Sequence, residues 1–202
     1  MAEAKKETKI QSLPLLALKN SALFPGLLMP LSVGRPGSVA AVEAALSSED
    51  KEIVVVAQRD VNADKPAAAD LYTVGTRASI RRANRQKTDQ IDIMVLGIER
   101  VVIVKVEEDG YLQARVTSLP LPDDSSRELE ALSLSLAELG SKFVGLAQGS
   151  AAPQEVARMF ASQEDPLQLA FMIASLMNLE ASREQALLET PTRLEGLRMV
   201  HG

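Results

Sequence analysis

Up to about residue 120 the apolar positions of this chain fall mainly at strand spacing, and beyond it they fall at helix spacing. Residues Leu13 to Arg35 hold two apolar runs. A polar break at Lys19-Asn20-Ser21 and a Phe24-Pro25-Gly26 turn join them, and Gly34-Arg35 ends them. The β-branched run Ile53 to Val56 reads as a strand buried on both faces. From Tyr72 to Ile80 the alternation puts Tyr72, Val74, Thr76, Ala78 and Ile80 on one face, with Gly75 marking a bulge on the other. Ile91 to Leu96 and Arg100 to Val106 continue the strand pattern. Asp109-Gly110 then signals a tight hairpin before a returning strand from Tyr111 to Ser118. One helix interrupts the series: Pro36 suits its first position, and Val39, Val42, Ala45 and Leu46 follow at helical spacing. Short strands with one helix predict a small, strongly bent sheet or partial barrel.

Leu119 to Ser126 is a Pro- and acid-rich connector. After it, Leu129, Leu132, Leu136, Leu139, Phe143 and Leu146 recur on one helical seam, which Gly140 and Gly145 weaken by about 1 kcal/mol each relative to Ala. A short helix is expected from Pro153, offering Val156, Met159 and Phe160. Asp165 as cap and Pro166 at the first position open a helix from Leu167 to Met177 that is apolar nearly all round, which belongs in the middle of a bundle. Thr190-Pro191 repeats the start signal for a last helix with Leu194, Leu197 and Val200 on its stripe. Three segments follow: a β-rich lobe over 11–119, a linker over 120–126 and a helical lobe over 127–202 whose final helix reads as truncated.

Composition changes the picture in three respects. Four Phe, two Tyr and no Trp leave the core to aliphatic side chains and Met. A formal net charge of −5 argues against general attraction to nucleic acid or anionic lipid. The chain has no Cys, which excludes disulfides and thiolate metal sites and fits a cytosolic protein. Leu13 to Leu18 is shorter than the ~7–15 apolar residues of a secretory leader, and no run nears the ~18 of a membrane span. The chain is read as cytoplasmic.

Catalytic constellations are missing from the sequence. His201 is the only histidine, which excludes a multi-histidine metal site; standing one residue from the end, it reads as an exposed terminal residue and not as the base of a Ser-His-Asp triad. No Gly precedes a Lys, so there is no phosphate-binding P-loop. Gly34 to Ser38 precedes a helix, but Pro36 removes a backbone donor from any anion site there. Ser141 and Lys142 are helical neighbours whose side chains diverge by about 100°. Glu107-Glu108-Asp109 and Asp123-Asp124 read as solvated carboxylates of a turn and a linker. Arg77, Arg81, Arg82, Arg85 and Lys87 form a basic cluster; it is either a nucleic-acid patch lacking interleaved aromatics or a charged strand edge guarded against aggregation. Leu23, Phe24, Leu27, Met29 and Met94 are the candidates for an apolar surface, where flexible Met side chains suit varied partners; the alternative is that they pack the core, the commoner fate of Met and Phe.

The Leu13–Arg35 stretch resembles the opening of the N-terminal domain of Lon, the ATP-dependent serine protease. Lys51–Asp60, Asp70–Thr76, Ile93–Arg100 with Tyr111–Val116, and Glu184–Leu197 are similar to successive segments of that domain, in the same order; Gly196 departs from it, standing where the family has a better helix former. The resemblance implies an α+β fold, a PUA-like bent sheet with one helix followed by a helical bundle. It implies a non-catalytic substrate-recognition domain that binds exposed apolar segments; the apolar candidates Leu23, Phe24, Leu27, Met29 and Met94, taken from the residues themselves, are the contact residues this reading would use. No cofactor or metal is expected in this chain. In the family, ATP and Mg belong to an ATPase module, and a Ser-Lys dyad to a protease module. It further implies a cytoplasmic homohexamer that degrades misfolded and regulatory proteins in quality control and stress. Unfolded proteins and sister subunits are then the partners, with nucleic acid and membrane not expected. The alternatives are a nucleic-acid module using Arg77–Lys87 and an assembly domain of the hexamer.

Overall fold

The computed structural model describes residues 10–87, 89–147, 158, 160 and 162–202. The chain divides into two compact units, Met1–Pro120 and Leu121–Gly202. In the first, the elements run β1 (Gln11–Leu18), β2 (Leu28–Val33), α1 (Pro36–Ser47), β3 (Glu52–Ala57), a short 3-10 turn (Ala68–Asp70), β4 (Val74–Lys87), β5 (Gln90–Glu108) and β6 (Leu112–Ser118). The sheet order is β2-β5-β4-β3-β1-β6, and β5 also pairs with β6. β5 makes this possible because it is long. Its first half pairs with β2, β4 spans much of its length, and its second half pairs with β6. The strands therefore bend into a partial ring, not a regular barrel.

β3 explains the double burial of Ile53–Val56. It lies parallel to β1 through Leu15↔Val54 and antiparallel to β4 through Ile53↔Ala78. Leu16, Leu18, Ile53 and Val55 join Val39, Val42, Ile91, Ile93 and Val95 in one core cluster. Leu15, Ala17, Val54 and Val56 join Leu71, Val101, Ala114 and Val116 in the other. Successive residues of a strand point to opposite faces, so a sheet covered on both sides needs such unbroken apolar runs.

Several strand expectations are revised. The segments 91–96 and 100–106 are one strand, and β4 runs on through the basic residues to Lys87. The ladder with β5 is regular past Gly75 and slips between Arg77 and Ala78, so the bulge is not at Gly75. Gly75 serves close approach instead: a Cβ there would stand 2.8 Å from the Val55 carbonyl oxygen.

The second unit holds α2 (Arg127–Ala147), α3 (Pro166–Leu176), α4 (Ala181–Leu188) and α5 (Arg193–His201). Asp165 caps α3 as its sequence predicts, its side chain accepting from the Leu167 amide at 3.0 Å. Leu167, Leu169, Ala170, Phe171, Ile173 and Ala174 are buried, while Met177 stands half-exposed at the helix end. The α2 seam differs from the predicted one. Leu129, Leu136 and Gly140 are buried, whereas Leu139 and Phe143 face solvent. Gly140 is a packing residue: an added Cβ would lie 2.8 Å from Ile173 Cδ1 and 3.0 Å from Phe160 Cε2. Gly196 is similar, with Leu167 Cδ1 only 2.5 Å from such a Cβ. Thr192, rather than Thr190, caps α5 by accepting from the Glu195 amide at 3.2 Å. Val156, Met159 and Leu146 lie outside the residues or side chains described; Phe160 is buried.

Candidate functional site

Residues directly opposite each other in an antiparallel ladder project to the same face. The register Leu28↔Leu96, Pro30↔Met94 and Ser32↔Asp92 therefore puts these pairs together, and their neighbours Met29, Leu31 and Val33 turn to the core. β4 extends the rows, with Ser79 beside Leu96, Arg82 beside Met94 and Asn84 beside Asp92. The result is an outward face with an apolar end and a polar end. Leu28 (61% exposed), Pro30, Met94 and Leu96 make the apolar end, and Ile98, at the slip in the β4–β5 register, continues the exposed alternation of β5. At the polar end, Ser32 donates to Asp92 at 2.6 Å, Gln86 donates to Asp92 at 2.9 Å and Gln90 donates to Ser32 at 2.8 Å.

The turn before β2 fixes where this strip lies. Gly26, at φ 75°, donates its amide to the Gly97 carbonyl at 2.9 Å, and Gly97 donates to the Leu27 carbonyl at 3.0 Å. Gly26 and Leu27 thus oppose the single residue Gly97, a glycine-type bulge that starts the ladder. Nothing larger than glycine fits at 97, because a Cβ would stand 2.3 Å from the Phe24 carbonyl oxygen. The Thr76 hydroxyl, fully buried, donates to the Leu23 carbonyl.

These anchors correct the sequence reading of the turn. Leu23 and Phe24 are 1% and 2% exposed and belong to the interior, since their backbone is drawn against Thr76 and Gly97. Leu27 and Met94 are half-buried, and Met29 packs partly against the core. Of the predicted set, Met94 alone takes part in the outward cross-strand pairs, with Leu27 at their start. Leu28, Pro30 and Leu96 are not singled out by the sequence, because Leu28–Leu31 is apolar throughout and the alternation of exposed and covered positions emerges only from the pairing with β5.

Residues 12–201 match the family model of the ATP-dependent protease La (LON) substrate-binding domain. This chain belongs to that family. It is 42% identical over 192 residues to the Lon protease of Nitrosococcus oceani, covering 93% of this chain and 24% of that protein. The Lon protease of Escherichia coli K12 is 33% identical over 178 residues, covering 88% of this chain and 22% of its own length. The chain thus spans about a quarter of the Lon proteases it matches. The N-terminal domain of Mycobacterium avium complex Lon protease shares its fold, with a TM-score of 0.77 at 21% identity over 94% of this chain and 96% of that one. The Lon N-terminal domain protein from Xanthomonas campestris gives 0.63 at 17% identity over 95% and 98%.

The basic cluster of this Lon domain is partly committed to its own fold. Arg77 bridges Glu52 at 2.5 Å and Glu99 at 2.8 Å. Burial opposes its charge, but hydrogen bonds to those two carboxylates outweigh that and hold its pKa above the ordinary value. Arg85 pairs with Glu43, while Arg81 and Arg82 are exposed. Arg35, at the Gly34–Ser38 turn, points inward and donates to Gln58 at 2.7 Å and to the Ala17 carbonyl. In the helical unit Asp124 is no free linker carboxylate. It accepts from the Arg193 and Leu194 amides at 2.7 and 3.3 Å and pairs with the Arg193 guanidinium at 3.1 Å. Among the described residues there is no cluster of His, Asp or Glu able to hold a metal ion, and no helix long and apolar enough to cross a membrane.

Proposed function

We propose that this Lon domain holds client polypeptides by reversible burial of their exposed apolar side chains on the Leu28–Pro30–Met94–Leu96 strip. The supporting observation is the outward pairing of apolar residues at the edge of the sheet, on a domain whose family is described by substrate binding. An apolar patch of roughly 300 Å², the low end of the largest patch on a typical monomer, yields about 7.5 kcal/mol if fully covered, at ~25 cal/mol per Å². Association itself costs about 4–15 kcal/mol. Such contacts are weak and reversible, as capture before transfer requires. The partners in this reading are unfolded or damaged proteins.

The parent chain is then a cytoplasmic, homohexameric ATP-dependent serine endopeptidase, and this domain gives it binding rather than chemistry. The test is fluorescence anisotropy of a labelled, permanently unfolded model polypeptide titrated with the 202-residue chain. Affinity should change little between low and moderate salt, because apolar burial is not screened. A collapse of binding over that range would point to Arg81 and Arg82 and defeat the reading.

A further inference from the structure

β2 is the terminal strand of the sheet, and among the described residues no strand pairs with its outer edge. An open edge beside an apolar face would ordinarily invite an extended peptide to add as a further strand. The ladder itself decides whether it can. The Gly97 amide donates to Leu27, so Leu27 and Gly97 are a hydrogen-bonded pair. Hydrogen-bonded and non-hydrogen-bonded pairs alternate along an antiparallel ladder. Leu28↔Leu96 and Pro30↔Met94 are therefore non-hydrogen-bonded, and the backbone nitrogens of Leu28, Pro30 and Ser32 face outward from the sheet. The middle one of the three is a proline nitrogen and carries no hydrogen. The same geometry brings the side chains of non-hydrogen-bonded pairs closest together, which consolidates the apolar strip.

Resting on the capture reading above, we propose that Pro30 closes the outer edge of β2 to strand addition, so that the site selects clients by apolar side chains and not by backbone pairing. Its substrate class is then any segment with exposed apolar side chains, whether helical, irregular or proline-containing. A strand-adding site would instead demand an extended segment with free amides. It would also pair with other copies of its own edge.

The test uses the 202-residue chain, a fluorescein-labelled leucine- and serine-rich peptide, and a twin of it N-methylated along its central backbone nitrogens. The wild-type chain should bind both peptides within about twofold of each other, since each backbone hydrogen bond in use is worth roughly two- to tenfold. Pro30→Val restores the missing donor at an exposed strand position. That variant should bind the unmethylated peptide several-fold more tightly than the twin, or self-associate in sedimentation velocity. Loss of binding by tenfold or more on N-methylation in the wild type would overturn the proposal. So would a Pro30→Val variant that neither discriminates the peptides nor self-associates. If the wild type binds neither peptide, the capture reading fails separately. The variant still decides the edge: methylation-sensitive binding or self-association supports closure by Pro30, and neither overturns it.

Discussion

Replacing Gly97 by Ala places one methyl group where the chain has no room. The added Cβ would stand 2.3 Å from the Phe24 oxygen and 3.0 Å from both the Phe24 carbonyl carbon and Pro25 Cα. All three are backbone atoms, so no rotamer change relieves the clash, and the 24–27 turn must move away. That displacement strains the Gly26–Gly97 and Gly97–Leu27 hydrogen bonds, 2.9 and 3.0 Å long, and loosens the seats of Leu23 and Phe24. Overpacking of this kind costs about 1–3 kcal/mol and each lost hydrogen bond about 1 kcal/mol. The expected destabilisation is about 3–5 kcal/mol. Tyr72 and Tyr111 are the two tyrosines, there is no Trp, and both lie in the β unit. Urea unfolding followed by tyrosine fluorescence thus reports that unit. Gly37→Ala is the matched control: nothing lies within 4 Å of its added Cβ, and helix propensity should give up to about 1 kcal/mol of gain. A Gly97→Ala midpoint equal to wild type would refute the placement of the turn against β5, and with it the position of the strip.

Two further outcomes concern the helical unit. Gly140→Ala should lower its thermal stability by about 1 kcal/mol in 222 nm circular dichroism, because crowding of Ile173 and the buried Phe160 ring exceeds the ~1 kcal/mol propensity gain; a stabilised variant would contradict that packing. Asp124 gives a pH signature. Burial opposes its charge, but hydrogen bonds from the Arg193 side chain and the Leu194 and Arg193 amides prevail and hold its pKa below the ordinary carboxylate value. A depressed folded pKa contributes stability that is complete above the unfolded value of about 3.9 and is lost as pH falls through the folded one. Asp124→Asn should therefore be less stable than wild type at pH 7, and the gap should close below about pH 4; a gap independent of pH would remove the Arg193 pairing from the account.

What the sequence disclosed follows from how local each cause is. Ile53–Val56 announces a doubly buried strand because β-branched residues without polar alternation have few other homes, and Asp165-Pro166 announces a helix start because the cap is completed two residues away. The ring of strands is not legible in this way, since it depends on β1 lying parallel to β3 and on β5 serving three neighbours. Gly140 and Gly196 read as helix weaknesses by propensity, yet tertiary contacts with Ile173, Phe160 and Leu167 govern both. Asp124 reads as a linker acid because its partner Arg193 is 69 residues on. Leu28 and Pro30 hid inside a nearly continuous apolar run, and only the β5 register separates Met29 and Leu31 from them. Leu23 and Phe24, apolar residues beside a turn signal, suit surface and core alike in the sequence; the Thr76 hydroxyl and the Gly97 gap decide for the core.

The central claim is that the Leu28–Pro30–Met94–Leu96 strip does the holding, and removing its apolar surface tests that most directly. Leu28→Ser with Met94→Ser leaves the inward-facing core residues of both strands untouched. Each lost apolar contact is worth on the order of 1 kcal/mol for partly exposed side chains, so affinity for a permanently unfolded polypeptide should fall roughly ten- to thirtyfold. The tyrosine-reported unfolding midpoint of the variant should stay near that of the wild-type chain. Unchanged affinity in a folded double variant would contradict the account.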